Sequence, residues 1–272
     1  MWTLVAFLIA AILGVPIVLG FSRRTAQQPG EYPWLLDEVS KLHVAIVGGL
    51  AGFAFTGVVL VVTIVRDTAN RAELDTVILM FLVAFLYWVG AAFLISYVPH
   101  AALSGDFVQR AHFSLATTIE YRTVFLSWFA LVPLLQVNGF GRLIPILYFL
   151  LPASLLLGSL LLAMATDGLG LLRIRETYVS AAVASTLTLA YYAIVAWFVP
   201  AARSPYSAQY LTLVIFAVNG LGFGFAALTS LAPRYERVRH FYERYGRSLV
   251  VTDMQLTILS LVFLWLAVVN AV

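Results

Sequence analysis

Residues Phe113–Val137 read FSLATTIEYRTVFLSWFALVPLLQV, a run of membrane length with Glu120 and Arg122 near its middle. No other apolar run of the chain carries two charges so far from its ends. A charge at the centre of a bilayer costs about 2.5–3.5 kcal/mol on insertion scales, so such side chains face protein or water rather than lipid. The segment therefore reads as a helix inside a bundle, and its polar residues as candidates for a site.

The surrounding chain is of the same kind. Of 272 residues 62% are hydrophobic and only 11% charged, with a mean hydropathy of +0.96, a composition far outside the soluble range. Reading apolar runs of about 20 residues as spanning helices predicts spans at 2–21, 43–65, 76–98, 113–137, 143–166, 178–199, 210–231 and 249–269. The predicted fold class is all-α: one polytopic integral membrane domain over residues 1–272, with about eight transmembrane helices. The fourth and fifth spans are joined only by Asn138-Gly139-Phe140-Gly141-Arg142, a tight turn whose glycines permit positive φ.

Lysine and arginine in short loops collect on the cytoplasmic side. The loops after spans one, three, five and seven hold Arg23, Arg24, Lys41, Arg110, Arg173, Arg175, Arg234, Arg237, Arg239, Arg244 and Arg247, whereas the other side holds Arg66, Arg71, Arg142 and Arg203. This asymmetry predicts both termini on the non-cytoplasmic side of a plasma or inner membrane. The first span agrees, since nothing basic precedes it and Arg23-Arg24 follow it, the reverse of a secretory signal.

The net charge of +3 is concentrated between Arg234 and Arg247, where five arginines accompany two glutamates. Tyr235, Val238, Phe241 or Tyr242, and Tyr245 share one side at helical spacing, so residues 234–246 are expected to form a short amphipathic helix in the headgroup layer, its arginines facing anionic lipid. No basic domain exists beyond this segment, which argues against nucleic acid as a partner.

Cysteine is absent, which excludes disulfides, thiolate catalysis and thiolate metal sites. The chain also lacks a Walker-type phosphate loop, a His-Glu-x-x-His zinc motif and a Gly-x-Ser-x-Gly elbow. His43, His100, His112 and His240 all fall near the predicted cytoplasmic boundary. Gathered histidines would ligate a metal or a b-type haem, but no pair has ligand spacing, and ordinary interfacial hydrogen bonding accounts for them. Asp37 and Glu38, with Lys41, open the second span as acidic residues suited to a helix N-terminus.

Glu120 and Arg122 stand two residues apart, hence about 200° apart around a helix, and cannot satisfy one another. Each needs its own partner. Thr117, Thr123 and Ser127 fall within about 60° of Glu120 and form a hydroxyl stripe, while Arg122 points away among Thr118, Phe125 and Phe129. Asp253 and Gln255 enter the last span from the same predicted side, at a depth comparable with Glu120, and Asn219 lies within the seventh span. Glu120, Arg122, Thr117, Thr123, Asp253, Gln255 and Asn219 are therefore the candidate pathway residues, with Glu120 at the centre.

Tyr121-Arg122, Trp128 and Val132-Pro133-Leu134 in the fourth span, with Asp253 opening the last, resemble the counter-ion helix and final helix of retinal proteins. Such a resemblance implies a lysine Schiff base in the final helix. The only lysine here is Lys41, and Thr257 stands one turn after Asp253, so the Schiff base has no residue on which to form and the likeness is one of composition.

Gly48 with Gly52, and Gly220 with Gly224, make small-residue faces at i, i+4 spacing that let helices approach closely, either within the chain or as the seam of a homo-oligomer. Pro16, Pro133, Pro145 and Pro152 are expected to kink the spans that hold them. Three functions fit such a chain. Transport of a small solute or ion through an interior polar site around Glu120 is favoured, because an almost loopless polytopic chain with buried charges has few other uses. The others are a non-catalytic scaffold or complex subunit and a membrane-embedded enzyme or redox protein working near the cytoplasmic face.

Overall fold

A computed structural model describes residues 33–64, 71–144 and 205–271, with 146, 147, 150 and 154 besides. The expected spans at 2–21 and 178–199, most of that at 143–166, and Pro16, Pro145 and Pro152 lie outside the described residues.

Every regular element among the described residues is helical: α1 Pro33–Ile64, α2 Arg71–Ser96, α3 Val98–Ala101, α4 Asp106–Phe129, α5 Leu131–Val137, α6 Pro205–Thr229 and α7 Glu236–Ala271. Within α1, α2 and α6, the stretches Leu36–Thr63, Glu73–Ser96 and Ala208–Thr229 are long and apolar enough to cross a membrane, consistent with an integral membrane protein.

Proline and glycine set the breaks. Pro99 lies in the first turn of α3, where its missing N–H is no loss, but its ring cannot follow the carbonyl of Ile95 in a continuous helix, so α2 ends at Ser96. Gly105 precedes α4 with φ +111°, a conformation open to glycine and strained for other residues. Near Pro133, where a kink is expected, the fourth span divides into α4 and α5 at Ala130, close to the carbonyl of Phe129 that the Pro133 ring would strike. Gly139 turns the chain at φ +77°.

The amphipathic segment differs from expectation. Residues 234–246 do not form a separate interfacial helix; from Glu236 the segment runs without interruption into the last span as α7, 36 residues long. At 1.5 Å per residue this is about 54 Å, well beyond the ~30 Å of a hydrocarbon core. The reason is tertiary. Tyr242 is fully buried, donates its hydroxyl to the Phe225 carbonyl, and burial raises its phenol above the usual pKa. One side of the segment therefore packs on protein, while Tyr235, Phe241 and Tyr245 stay exposed.

α4 and α6 pack on each other and on both α2 and α7, and α1 lies against α2. Their common core includes Met80, Phe81, Trp88, Leu115, Ile119, Leu126, Phe129 and Ile215, each essentially inaccessible. α1 turns Leu42, Ile46, Phe53, Phe55 and Leu60 outward, a pattern suited to lipid rather than water. At one end of the bundle, Leu36, Val98 and Phe113 form a small apolar cluster, Gln109 donates to Asp37 at 3.4 Å, and Gly246 lies against Phe107. The starts of α1 and α4, the N-terminal part of α7 and the end of α2 thus gather there.

Candidate functional site

α4 is the inner helix, since it touches α2, α6 and α7 and buries most of its residues, polar ones included. Its two charges go in different directions, as their angular separation requires. Glu120 pairs with His43 of α1, Oε2 lying 2.8 Å from Nδ1. This pair is near the surface of the bundle, with side-chain exposures of 14% for Glu120 and 29% for His43. The edge of the Phe113 ring meets His43 as well.

Arg122 is the deeper group, with no exposed side-chain surface. Its Nη1 donates to Asp253 Oδ1 at 2.9 Å and to Thr257 Oγ1 at 2.8 Å, while Nε donates to Asn219 Oδ1. Thr257 in turn donates to the Asp253 backbone carbonyl at 2.6 Å. One arginine from α4 thereby joins an amide from α6 to a carboxylate and a hydroxyl from α7. Ion pairs of this depth are costly to desolvate and are held by the hydrogen bonds around them.

Those hydrogen bonds are incomplete. Among the described residues, Arg122 Nη2, Asn219 Nδ2 and Asp253 Oδ2 are buried and have no hydrogen-bond partner. Nη2 belongs to both edges of the planar guanidinium, pairing with Nε on one and with Nη1 on the other. Each edge has therefore made one bond and kept one donor. Buried polar atoms left in this condition are uncommon, because each costs the desolvation it cannot recover.

Gly222 makes the room. A Cβ at this position would stand 2.9 Å from Arg122 Nη2 and 3.1 Å from Asp253 Oδ1. Gly220 faces the Tyr87 hydroxyl at 3.3 Å, and Gly224 faces open space. The expected Gly220/Gly224 face is thus not the place of closest approach in this chain; the glycine between them is, because it points at the guanidinium. Gly48 and Gly52 likewise have nothing within 4 Å.

The remaining expected residues separate. Thr117 donates to the Phe113 carbonyl at 3.0 Å, Thr123 to that of Ile119 at 2.7 Å and Ser127 to that of Thr123 at 3.0 Å. The hydroxyl stripe thus spends its donors on its own helix. Asp253 lies with Arg122 rather than beside Glu120, and Asn219 joins it; Gln255 falls outside the described side chains. The histidines do not gather: His43 is with Glu120, His240 is exposed between Glu236 and Glu243, His100 is exposed, and no three His, Asp or Glu among the described residues form a metal site.

His112 has a role its type alone does not disclose. It is buried, with Nε2 2.7 Å from the Leu94 carbonyl of α2 and Nδ1 against Thr229 Oγ1 and the Ala226 carbonyl of α6. A carbonyl only accepts, so Nε2 carries the proton and donates, and Nδ1 can take the Thr229 hydroxyl proton. The ring ties α2, α4 and α6 together near one end of the bundle. Its spacing from Thr229 in sequence is too large for any local signal.

No family of known proteins, no curated protein and no solved structure matches this chain.

Proposed function

We propose that this protein carries a small solute or ion across a membrane, through an interior polar site centred on Arg122 of α4 rather than on Glu120. One observation carries the reading: a fully buried arginine held by groups from two further helices, with donors left over. A charge kept in that position purely for packing could be replaced by apolar side chains at no loss of stability, often at a gain. Unspent donors at a helix junction are instead what a passing polar species requires. Glu120 and His43, on the opposite face of the same helix, form a second polar contact along its length. In this reading α4 and α7 cross the bilayer with α1, α2 and α6, as part of a bundle of about eight spans, with both termini on the non-cytoplasmic side of a plasma or inner membrane.

A second reading, a membrane scaffold or homo-oligomer, draws support from α1, whose Gly48 and Gly52 face meets nothing within 4 Å. Reconstitution decides between the two. Proteoliposomes of the full chain should show protein-dependent flux of at least one small inorganic ion or organic solute, lost on Arg122→Gln in protein that remains monodisperse. Monodisperse wild-type protein that moves none of a broad panel would remove transport and leave the scaffold reading.

A further inference from the structure

Charge bookkeeping in the Arg122 cluster points further than transport in general. We propose that the substrate is a small monovalent anion, bound at Arg122 Nη2 and Asn219 Nδ2 and carried together with one proton that resides on Asp253. The inference rests on the transport reading above and names its substrate class and coupling.

The unspent groups set the class. Two of the three unpartnered atoms, Arg122 Nη2 and Asn219 Nδ2, are nitrogen donors, and the third, Asp253 Oδ2, is a carboxylate oxygen. Donors from a guanidinium and a primary amide bind an anion. A cation would meet the guanidinium charge at once. Yet Arg122 and Asp253 together sum to zero, so with Asp253 ionised the cluster has no net attraction for an anion. Protonating Asp253 leaves Arg122 uncompensated, and an arriving monovalent anion restores neutrality.

The coupling follows from the same sum. With neither species bound the cluster is neutral, and with proton and anion both bound it is neutral again. Only the half-loaded states bury a net charge, positive with the proton alone and negative with the anion alone. A buried unpaired charge is strongly disfavoured at this depth. Proton and anion therefore enter and leave as a pair. The step balances: one proton leaves water for Asp253 Oδ2 and one anion for the donors, both are released on the far side, and no net charge crosses.

Few other groups compete for the proton. Among the described residues facing Asp253, α4 contributes Arg122 and the hydroxyl of Thr118, α6 the neutral Asn219 through Arg122, α7 itself Thr257, and α5 holds no titratable side chain. Tyr87 of α2 is a phenol that donates to the Phe216 carbonyl at 2.6 Å. Glu120 and His43 occupy the other face of α4. Gly222 lets Nη2 sit close against α6, where a Cβ would stand 2.9 Å from it.

The test uses the full chain in proteoliposomes loaded with a pH-sensitive dye. Chloride, nitrate, pyruvate and lactate are supplied in turn as probes, with sodium, ammonium and glycerol as cation and neutral comparisons, and with the membrane potential clamped at different values by potassium and valinomycin. The expected result is uptake of at least one probe accompanied by lumenal acidification, one proton per anion, at a rate indifferent to the clamped potential. Arg122→Gln should lower that uptake at least ~tenfold, the loss expected when one hydrogen bond to a charge is removed. Asp253→Asn, which keeps the shape and the donors, should bind or move the anion without acidification and with a dependence on potential. Anion uptake by wild type with no proton, or with full sensitivity to potential, overturns the coupling and leaves transport standing. Uptake confined to cations or neutral solutes overturns the anion site and also leaves transport standing. Absence of any flux from monodisperse protein overturns both.

Discussion

Gly222→Ala should be the most damaging glycine-to-alanine change among the described helical glycines. A Cβ at residue 222 would lie 2.9 Å from Arg122 Nη2 and 3.1 Å from Asp253 Oδ1, whereas ordinary contact begins at 3.4 Å. The guanidinium must retreat by about half an ångström, and it is not free to do so. It is fully buried and its other nitrogens are bonded to Asp253, Thr257 and Asn219, on two different helices. Overpacking of this kind costs about 1–3 kcal/mol, and loosening a hydrogen bond to a charged group about 1.5–3 more. Against this stands about 1 kcal/mol gained when alanine replaces glycine in a helix. The net expectation is a loss of about 1.5–5 kcal/mol, the sum of those terms. Gly224→Ala, two residues away and facing open space, keeps only the helical gain and should be neutral or slightly stabilising. The two variants are compared by thermal unfolding in one detergent, following monodispersity and tryptophan fluorescence. A Gly222→Ala protein as stable as Gly224→Ala would mean that the guanidinium is not confined against α6, and the geometry of the site would have to be redrawn.

Other substitutions separate the site from its surroundings. Arg122→Met strands the Asp253 carboxylate in the interior and should cost about 3–5 kcal/mol, most of it recovered when Asp253→Leu is added; denaturant titration in mixed micelles measures both, and a double variant no better than the single would show that the charges are not coupled. Glu120→Gln weakens a partly exposed contact with His43 and should cost about 1 kcal/mol or less, with flux held within a few-fold of wild type; flux lost as completely as in Arg122→Gln would return the centre of the site to Glu120. His112→Phe fills the space but leaves the Leu94 carbonyl without its donor, and should lower stability by about 1–3 kcal/mol, read as a fall in the unfolding midpoint; an unchanged midpoint would mean the ring is not the tie between α2 and α6.

Much of the helical frame was legible because it rests on length and composition. The described helices α1, α2, α6 and α7 include most of the residues expected for their spans, and α4 with α5 includes all of the fourth but Ala130, divided where Pro133 removes an N–H. The join between residues 234–246 and the last span was not legible. An amphipathic pattern records which residues share a side but not whether that side meets lipid headgroups or the α6 carbonyl that Tyr242 reaches. The glycines show a similar gap. An i, i+4 pair names two small residues, but which glycine sits under a neighbour depends on the rotation of α6 about its own axis, and that rotation brings Gly222 to Arg122.

The site was half readable for a physical reason. Helical periodicity of about 3.6 residues is enough to show that Glu120 and Arg122 cannot meet and that both demand partners from other helices. It also indicates that the helix carrying them belongs inside the bundle. The partners themselves are 77 residues away for Glu120 and 131 for Arg122, and nothing local in a sequence selects His43 for one or Asp253 for the other. That choice belongs to tertiary packing, which turned α4 so that the longer, planar, five-donor side chain took the dry centre and the carboxylate took the rim. What the sequence determined by itself is a membrane helix bundle with charges inside it; the structure decided that its buried centre is a cation with bonds to spare.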